Sequence, residues 1–400
     1  MDPLEVATRL ASVPRRAAGS DSERRVARWL RDELRASGRD ATLETVWVRP
    51  DWALVHLLHC ALATGGSVLS VWEPAAGLGV LGLVLVSQVG DLTARFHLVR
   101  LITPRRATQN VVSPPRRTSP GTVRLTVVAA TDAGRTGAIY GRWAGLEASL
   151  RRALRGHLPS PLGALAAAVL ALCGVALARL EGAGGAAVGA VQFIPTVALM
   201  LGFAALVDIA LSDFSPGANV HASAVGVALA LVEALDRDAP RRLDVELVLA
   251  GAGEGPALGM RAFVRSRRNR RAEESAVLAI DPCGAGTPRW LTRDGQLLAL
   301  RYHPRLIELC QRAARADAAL GARSYASHGA AQSFPARVAR WPAIAIGCRD
   351  ERDQVPAAHQ PGDLPDHLDP ESMDAALELC LALVGRLDDD LEQRQATQEK

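Results

Sequence analysis

The 400-residue sequence predicts an α/β domain with a mostly parallel sheet sandwiched by helices, interrupted by two transmembrane helical hairpins. Short strand-like runs alternate along the chain with helical patterns, as in sheets that are covered on both faces. Four long runs with few charged residues occur as two close pairs. Hydrophobic residues make up 49% of the chain, so apolar side chains are concentrated somewhere beyond an ordinary core.

The polar part of the chain is interpreted as one peptidase-like domain in three pieces, residues 1–51, 94–160 and 212–400. Its predicted helices lie near residues 21–37, 303–317 and 371–395, and a further helix begins after Gly217. Its predicted strands lie near residues 43–49, 109–112, 123–130, 244–250, 276–281 and 343–347.

The two predicted hairpins are residues 52–93 and 161–211. Each apolar run is close to the roughly 20 residues that a helix needs to cross a hydrocarbon core. The alternative is that the four runs are buried helices of a large soluble core. The absence of a polar face favours the membrane. His56 and His59, one helical turn apart, are interpreted as polar groups packed between helices rather than as an intramembrane metal or proton site.

The net charge of +4 comes almost entirely from arginine, and no nucleic-acid surface is predicted from it. Arginines occur where the apolar pairs meet the polar domain, whereas the short turns near Glu73 and Glu181 carry almost none. These arginines are Arg95, Arg100, Arg105, Arg106, Arg142, Arg151, Arg152 and Arg155. The positive-inside rule then places the domain on the cytoplasmic side of a multi-pass inner-membrane protein, with the lipid bilayer as its partner.

The six cysteines are scattered without close pairs, which indicates free thiols in a reducing compartment. We expect no cleavable signal peptide, because no positively charged start precedes an apolar run. The arginine run within residues 265–271 is interpreted as a solvated loop, with contact to lipid headgroups as the alternative.

Three carboxylates follow strand-like runs. Asp132 follows residues 123–130, and Glu254 and Asp281 follow two later predicted strands. Ligands of parallel sheets gather at the carboxyl ends of the strands, so these side chains are candidates for one site. Each also has a structural interpretation, as a turn cap or as a carboxylate at a helix amino terminus.

Five segments around these residues share their order and spacing with a known family. They are residues 127–137 (VVAATDAGRTG), 215–235, 247–263, 277–286 and 359–369 (HQPGDLPDHLD). Together they resemble the di-zinc aminopeptidases of the aminopeptidase Y, aminopeptidase S and glutamate carboxypeptidase type, metallopeptidase family twenty-eight. The resemblance implies a zinc-peptidase fold, aminopeptidase activity and a pair of zinc ions.

When the family's site residues are carried over by position, the resemblance implies that Glu254, Asp281 and His359 are zinc ligands. Asp132 is kept, but the family's histidine near it is replaced by Ala130. The bridging aspartate position is Val220, and the general-base glutamate position is Gly253. Methyl and isopropyl groups cannot coordinate zinc, so zinc is expected to be absent or sub-stoichiometric. His221, next to Val220, and His328 are candidate substitute ligands.

Two classes of function follow. The first is a pseudo-peptidase that binds a peptide, a lipid or a partner protein without cleaving it. The alternative is an active zinc-dependent aminopeptidase that uses substitute ligands. A transporter is a third hypothesis, with little support because no charged residue lies near the middle of the four apolar runs. If the fold is kept and only the metal-binding and catalytic side chains are lost, restoring His, Asp and Glu at positions 130, 220 and 253 should rebuild zinc binding.

Overall fold

The computed structural model describes residues 1–119, 121–143 and 160–398. Its α-helices, numbered in chain order, are α1 (Pro3–Ala11), α2 (Asp21–Ala36), α3 (Trp52–Leu69), α4 (Pro74–Leu92), α5 (Pro161–Leu180), α6 (Gly185–Leu211), α7 (Ser223–Arg237), α8 (Leu258–Ser266), α9 (Pro304–Ala316), α10 (Phe334–Val338) and α11 (Pro370–Gln398). Its strands are β1 (Thr42–Val48), β2 (Arg106–Ser113), β3 (Val123–Ala130), β4 (Leu243–Ala250), β5 (Ser275–Ile280), β6 (Thr287–Asp294), β7 (Leu300–Arg301), β8 (Arg323–Ala326) and β9 (Ala343–Arg349).

Within the described residues, nine strands form one sheet in the order β1-β2-β4-β3-β5-β9-β6-β7, with β8 paired to β6. The central strands β4, β3, β5 and β9 are parallel. The outer pairs β1–β2, β2–β4, β9–β6 and β6–β7 are antiparallel. The sheet is therefore mixed, and the expectation of a mostly parallel sheet holds only for its centre.

The first apolar pair is inserted into a β-hairpin. β1 pairs with β2 from Thr42 opposite Val112 to Val48 opposite Arg106, so the chain between Val48 and Arg106 takes the place of a turn. Because an even number of helices returns the chain to its starting side, α3 and α4 fit there without breaking the antiparallel pair. This explains why the strand pair at this edge of the sheet is antiparallel.

The sheet is covered on both faces, as the sequence pattern indicates. In β4, Leu247 and Leu249 join the core with α1, α2, α7, α9 and α11. Val248 and Ala250 point to the other face, where α8 and α10 pack. The α2 helix begins at a serine N-cap, in which the Ser20 hydroxyl accepts the Glu23 N–H at 3.1 Å. Both faces of β4 are therefore dry, as in a central strand of a covered sheet.

The helices α3, α4, α5 and α6 form a separate bundle. α3 packs against α4 and α6, and α5 packs against the same two helices. Apolar side chains such as Cys60, Leu81, Leu172 and Leu199 fill its centre. Large apolar side chains also cover its outside, including Trp72, Leu83, Leu170, Val191, Phe193, Ile194, Leu201 and Leu211. An exposed apolar surface of this extent is typical of a membrane or protein contact.

Five helical segments in the described part of the chain are long and apolar enough to cross a membrane, by length and composition. Four are the bundle helices. The fifth, Ala218–Arg237, includes α7 and is almost wholly buried inside the α/β domain. Length and composition therefore do not by themselves distinguish a core helix from a membrane span, and the exposed apolar faces separate the bundle from α7.

Polar groups inside the bundle pair with one another. His59 shares a hydrogen bond of 2.8 Å with the Ser87 hydroxyl, and His56 lies 3.5 Å from the Asp91 carboxylate. Near the opposite end of the bundle, the Gln192 amide donates to the Ser67 carbonyl at 2.7 Å. The two histidines are thus polar contacts between helices, as predicted, although a carboxylate does lie beside one of them.

A buried ionic cluster joins the bundle to the domain. The Asp91 carboxylate accepts from Arg100 Nε at 2.8 Å and Nη2 at 2.7 Å, and it lies 2.6 Å from His97 Nδ1. Arg261, on α8 of the domain, donates to the other ring nitrogen of His97. The bundle and the domain therefore share a charge network as well as chain connections.

The arginines used to predict orientation are only partly described. Arg151, Arg152 and Arg155, and the side chain of Arg142, lie outside the described residues.

In the loop after α8, Arg267 pairs with Glu44 on β1, while Arg268 is exposed.

Candidate functional site

The candidate site lies at the carboxyl edge of the parallel strands. Asp132, Glu254 and Asp281 follow β3, β4 and β5, so the parallel pairing brings all three to one edge. His359 comes from the loop between β9 and α11, and His221 lies in a π-helical turn, Ala218–Ala222, that precedes α7. The edge predicted from sequence is therefore the edge at which these side chains are found.

Asp132 shapes the turn that carries Glu254. Its fully buried carboxylate accepts the backbone N–H groups of Gly253 at 2.8 Å and Glu254 at 3.1 Å. Burial raises the pKa of the Asp132 carboxyl, while nearby His221 lowers it. His221 Nδ1 lies 2.6 Å from the Asp132 carbonyl oxygen. Asp132 therefore acts as a structural clamp, and its side chain does not line the cavity of the site.

Glu254 and His359 face each other. His359 Nε2 lies 3.8 Å from Glu254 Oε1, and the His359 ring lies 4.6 Å from the Tyr140 ring between centroids. Gly134 leaves room for the pair, because a Cβ at this position would lie 2.6 Å from His359 Nδ1 and 2.8 Å from Glu254 Oε2. His359 itself has a φ of +57°, a left-handed conformation that is costly outside glycine.

Asp281 is paired with an arginine. Arg349 Nη2 lies 3.4 Å from Asp281 Oδ2 and donates to the Tyr325 hydroxyl at 2.7 Å. Burial raises the pKa of Asp281 to about 6, and the Arg349 guanidinium opposes that shift. A fixed guanidinium beside the carboxylate already supplies the positive charge that a bound cation would otherwise provide.

A second buried arginine, Arg16, holds together the backbone segments that carry the site. Arg16 Nη1 donates to the Leu10 carbonyl at 2.7 Å, and its Nε and Nη2 each lie 3.3 Å from a carbonyl, those of Thr131 and Gly217. Burial lowers the pKa of Arg16 to about 10, and the charge of Asp132 opposes that shift. Arg16 thus ties α1 to the ends of two segments that carry the site.

The lost base position, Gly253, is closed as well as chemically altered. A Cβ built on Gly253 would lie 2.3 Å from the Ala130 Cβ, closer than two carbon atoms can approach. At the lost bridging position, the Asp363 carboxylate holds the backbone. Its Oδ1 accepts the Asn219 N–H at 2.6 Å, and its Oδ2 accepts the Val220 N–H at 3.3 Å. The backbone therefore leaves no space for a glutamate at position 253 unless it moves.

The side chains that could coordinate metal at the site do not match the needs of a pair of zinc ions. Among the described residues, no three His, Cys, Asp or Glu side chains are grouped to hold a metal ion. Within that part of the chain, Glu254 and His359 form a pair without a third donor, and Asp281 faces the guanidinium of Arg349. Zinc centres in proteins use three or four such donors for each ion. The residues present therefore do not fit a di-zinc site.

One cavity of about 560 Å³ brings most of the predicted residues together. Its polar wall contains Ala130, Val220, His221, Gly253, Glu254, Asp281, His328 and His359. Its opposite wall comes from the bundle, with residues of α5 and α6 and Trp52 of α3. The volume is within the range of sites that bind small molecules. The candidate site is thus shared between the α/β domain and the bundle.

Arg349, Gln332 and Tyr140 at the site were not predicted. Arg349 had a signal that could have been used, because it ends the strand next to β5 and so lies beside Asp281. Gln332 donates to the Gly253 carbonyl at 3.0 Å from a loop with no regular pattern. Tyr140 lies in a π-helical turn, Ile139–Trp143, for which the sequence offers no recognised signature.

Residues 204–384 match Peptidase family M28 in sequence. This segment contains Val220, Gly253, Glu254, Asp281 and His359, whereas Ala130 and Asp132 precede it. No curated protein matches the chain.

Solved structures share the fold at low identity. A glutaminyl cyclase from Bacteroides thetaiotaomicron is 13% identical, with a TM-score of 0.56 and 96% of each chain covered. A leucine aminopeptidase precursor from the same organism is 14% identical, with a TM-score of 0.55 and 96% of each chain covered. A Zn-dependent exopeptidase from Parabacteroides distasonis is 12% identical, with a TM-score of 0.54 and 95% of each chain covered. The chain therefore has the fold of these exopeptidases and cyclases.

Proposed function

We propose that this chain is a membrane-inserted member of Peptidase family M28 that has kept the peptidase fold, has lost hydrolysis, and binds a peptide, a lipid or a partner protein at the cavity. The family match and the shared fold support the first part. The observation that carries the loss of hydrolysis is the closure of Gly253 onto Ala130, because it removes both the base and its space.

The remaining groups do not replace the missing chemistry. A positioned general base contributes about 10²- to 10⁴-fold to a hydrolytic rate. Glu254 neighbours the base position, but its carboxylate is directed to His359 at 3.8 Å. Asp281 is held by Arg349, so it is not available as a proton acceptor without breaking an ion pair. Binding without turnover is the function that this arrangement supports.

Zinc content and aminopeptidase activity test the proposal together. We expect the purified protein to carry far less than two zinc ions per chain, because each missing charged ligand leaves the desolvation of the cation uncompensated. We expect no hydrolysis of aminoacyl substrates above background. Elemental analysis of detergent-purified protein and a fluorogenic aminopeptidase assay, each with and without added zinc, provide the measurements.

A matched variant separates weak activity of the site from contamination. Glu254→Gln combined with His359→Asn removes the carboxylate and the imidazole, the remaining pair of metal donors, while keeping polar side chains of equal or smaller volume. Chelator-sensitive cleavage that is present in the wild type and absent in this variant would overturn the pseudo-peptidase proposal. Zinc near two equivalents would instead mean that substitutes such as His221 or His328 have been recruited, which is the alternative active enzyme.

The membrane part of the proposal rests on the bundle. Trp72 in the turn after α3, Leu83 on α4, Leu170 on α5 and Ile194 on α6 are each more than half exposed, which a water-soluble bundle seldom tolerates. Both helix pairs leave and return to the α/β domain, which is consistent with an even number of crossings. Following the positive-inside rule, we propose that the domain faces the cytoplasm.

Cysteine labelling tests the orientation. Arg268 and Glu73 are both exposed, at the domain loop after α8 and at the turn between α3 and α4. With a membrane-impermeant maleimide on intact cells, we expect a cysteine at position 73 to be labelled and one at position 268 to be labelled only after lysis. Five of the six native cysteines are buried, and Cys173→Ala removes the one that is not. The reverse pattern would contradict the proposed orientation.

A further inference from the structure

The cavity extends from the polar edge of the sheet into the bundle. On the bundle side it is lined by Leu162 and Leu165 of α5 and by Gly202, Ala205 and Leu206 of α6. Leu162, Leu165 and Ala205 are half-buried, so this side is not sealed. Apolar surface therefore continues from the inside of the cavity to the outer face of the bundle.

One glycine shapes the seam between α5 and α6. A Cβ on Gly202 would lie 2.6 Å from Leu165 Cδ2, so the two helices approach closely beside the cavity. Neighbouring Ala205 also has a small side chain. These small residues present little side-chain bulk to the cavity on the bundle side, so a narrow apolar chain fits against this wall.

At the polar end, a buried acceptor lies on the cavity wall. Gln332 is 7% exposed, and its Nε2 donates to the Gly253 carbonyl at 3.0 Å, which fixes the orientation of the amide. In the described part of the chain nothing donates to Gln332 Oε1. A buried polar atom of this kind usually has a partner, so a ligand N–H that reaches Oε1 would satisfy an acceptor that is otherwise unpaired within the described residues.

We propose that the cavity binds a single-chain amphiphile with an amide head, an N-acyl amino acid or an N-terminally acylated peptide. The acyl chain lies along the cavity wall that α5 and α6 form, and the amide N–H donates to Gln332 Oε1. The proposal rests on the proposed function, a membrane-inserted domain that binds without cleaving, and it narrows the ligand of that site. The ligand enters from the bilayer, where its chain is already dissolved.

Photolabelling in proteoliposomes tests the proposal. The probe is N-dodecanoylglycine with a diazirine in its chain and a terminal alkyne. We expect saturable labelling of peptides from α5 and α6, competed by unlabelled N-dodecanoylglycine. Ala205→Phe, which fills the cavity, should reduce the labelling at least ten-fold. Ala204→Phe, the same change at the adjacent exposed position, should leave labelling within two-fold.

Two further competitors test which head group the cavity binds and whether the ligand is a free acyl amino acid or an acylated peptide. Dodecanoic acid, which has no amide, should compete at least ten-fold less well, and Gln332→Met should abolish that preference. A short peptide acylated with dodecanoate should compete as well as N-dodecanoylglycine if acylated peptides are ligands. It should compete poorly if only the free acyl amino acid fits the cavity. Both results support a ligand that has an acyl chain and an amide head. Equal labelling of the two alanine variants, or competition by phosphatidylcholine alone, would overturn the proposal.

Controls keep this test separate from the proposed function. If Ala205→Phe does not elute as a monodisperse species from detergent, competition by unlabelled probe on the wild type decides the question, and unsaturable labelling overturns the proposal. Extraction of membranes with alkaline carbonate tests membrane insertion independently. A protein that resists extraction but shows no saturable labelling refutes the amphiphile and leaves the proposed function standing.

Discussion

Replacing Asp91 with alanine is expected to lower the free energy of unfolding by about 3–5 kcal/mol, the usual loss when one partner of a buried ion pair is removed. Asp91 is 5% exposed and accepts two hydrogen bonds from Arg100, which is 3% exposed. Without the carboxylate, the guanidinium stays buried without its counter-ion. Denaturant unfolding of the protein in detergent micelles, followed by tryptophan fluorescence, measures the change.

Two controls define the cause. The exposed pair Arg31–Asp32 has the same chemistry at 2.7 Å, and Asp32→Ala should cost less than about 1 kcal/mol. The double variant Asp91→Ala with Arg100→Met removes both charges and should recover much of the loss. If Asp91→Ala changes stability no more than Asp32→Ala does, the cluster does not hold the bundle to the domain.

Replacing Gly253 with alanine is expected to destabilise the domain by about 1–3 kcal/mol, because the new methyl group would overlap the Ala130 side chain. Gly362→Ala is the matched control, since no atom of the described residues lies within 4 Å of a Cβ at that position, and it should stay within about 0.5 kcal/mol of wild type. Thermal unfolding of the two variants in detergent compares them. Equal midpoints would show that the loop relaxes freely around position 253.

A second substitution identifies the contact. Ala130→Gly removes the opposing methyl group, so the double variant with Gly253→Ala should lose less stability than the sum of the two single variants. The same overlap bears on rebuilding the metal site. Placing His at 130 and Glu at 253 keeps both Cβ atoms, so the three-substitution variant expected from sequence to regain zinc should fold poorly instead.

Much of the domain could be predicted because its elements repeat a strong pattern. Residues 127–130 of β3, 247–250 of β4 and 276–280 of β5 are wholly apolar runs, and α2, α9 and α11 lie within a few residues of the predicted helices. β6 was missed because Pro288, Arg289 and Arg293 interrupt its apolar residues. Its pairing with β9 is antiparallel, and it accounts for part of the departure from a mostly parallel sheet.

The site was predictable where a residue follows a strand and not where the contact comes from tertiary packing. Asp132, Glu254 and Asp281 follow from the rule that parallel strands end at one edge. The approach of Gly253 to Ala130 depends on sub-ångström placement of the end of β3 and the turn after β4, which no sequence pattern encodes. The bundle wall of the cavity depends on how α5 and α6 dock onto the domain, a long-range contact without a local signal.

The sheet order also constrains how the protein is made. β4 lies between β2 and β3, although both of those strands are synthesised first and β4 emerges only at Leu243–Ala250. The ribosome has by then produced all four bundle helices, since α6 ends at Leu211. The growing chain must therefore commit its apolar helices to their final environment while the sheet still lacks its central strand. Biogenesis is expected to proceed from the bundle to the domain, with β4 as the last strand of that half to enter.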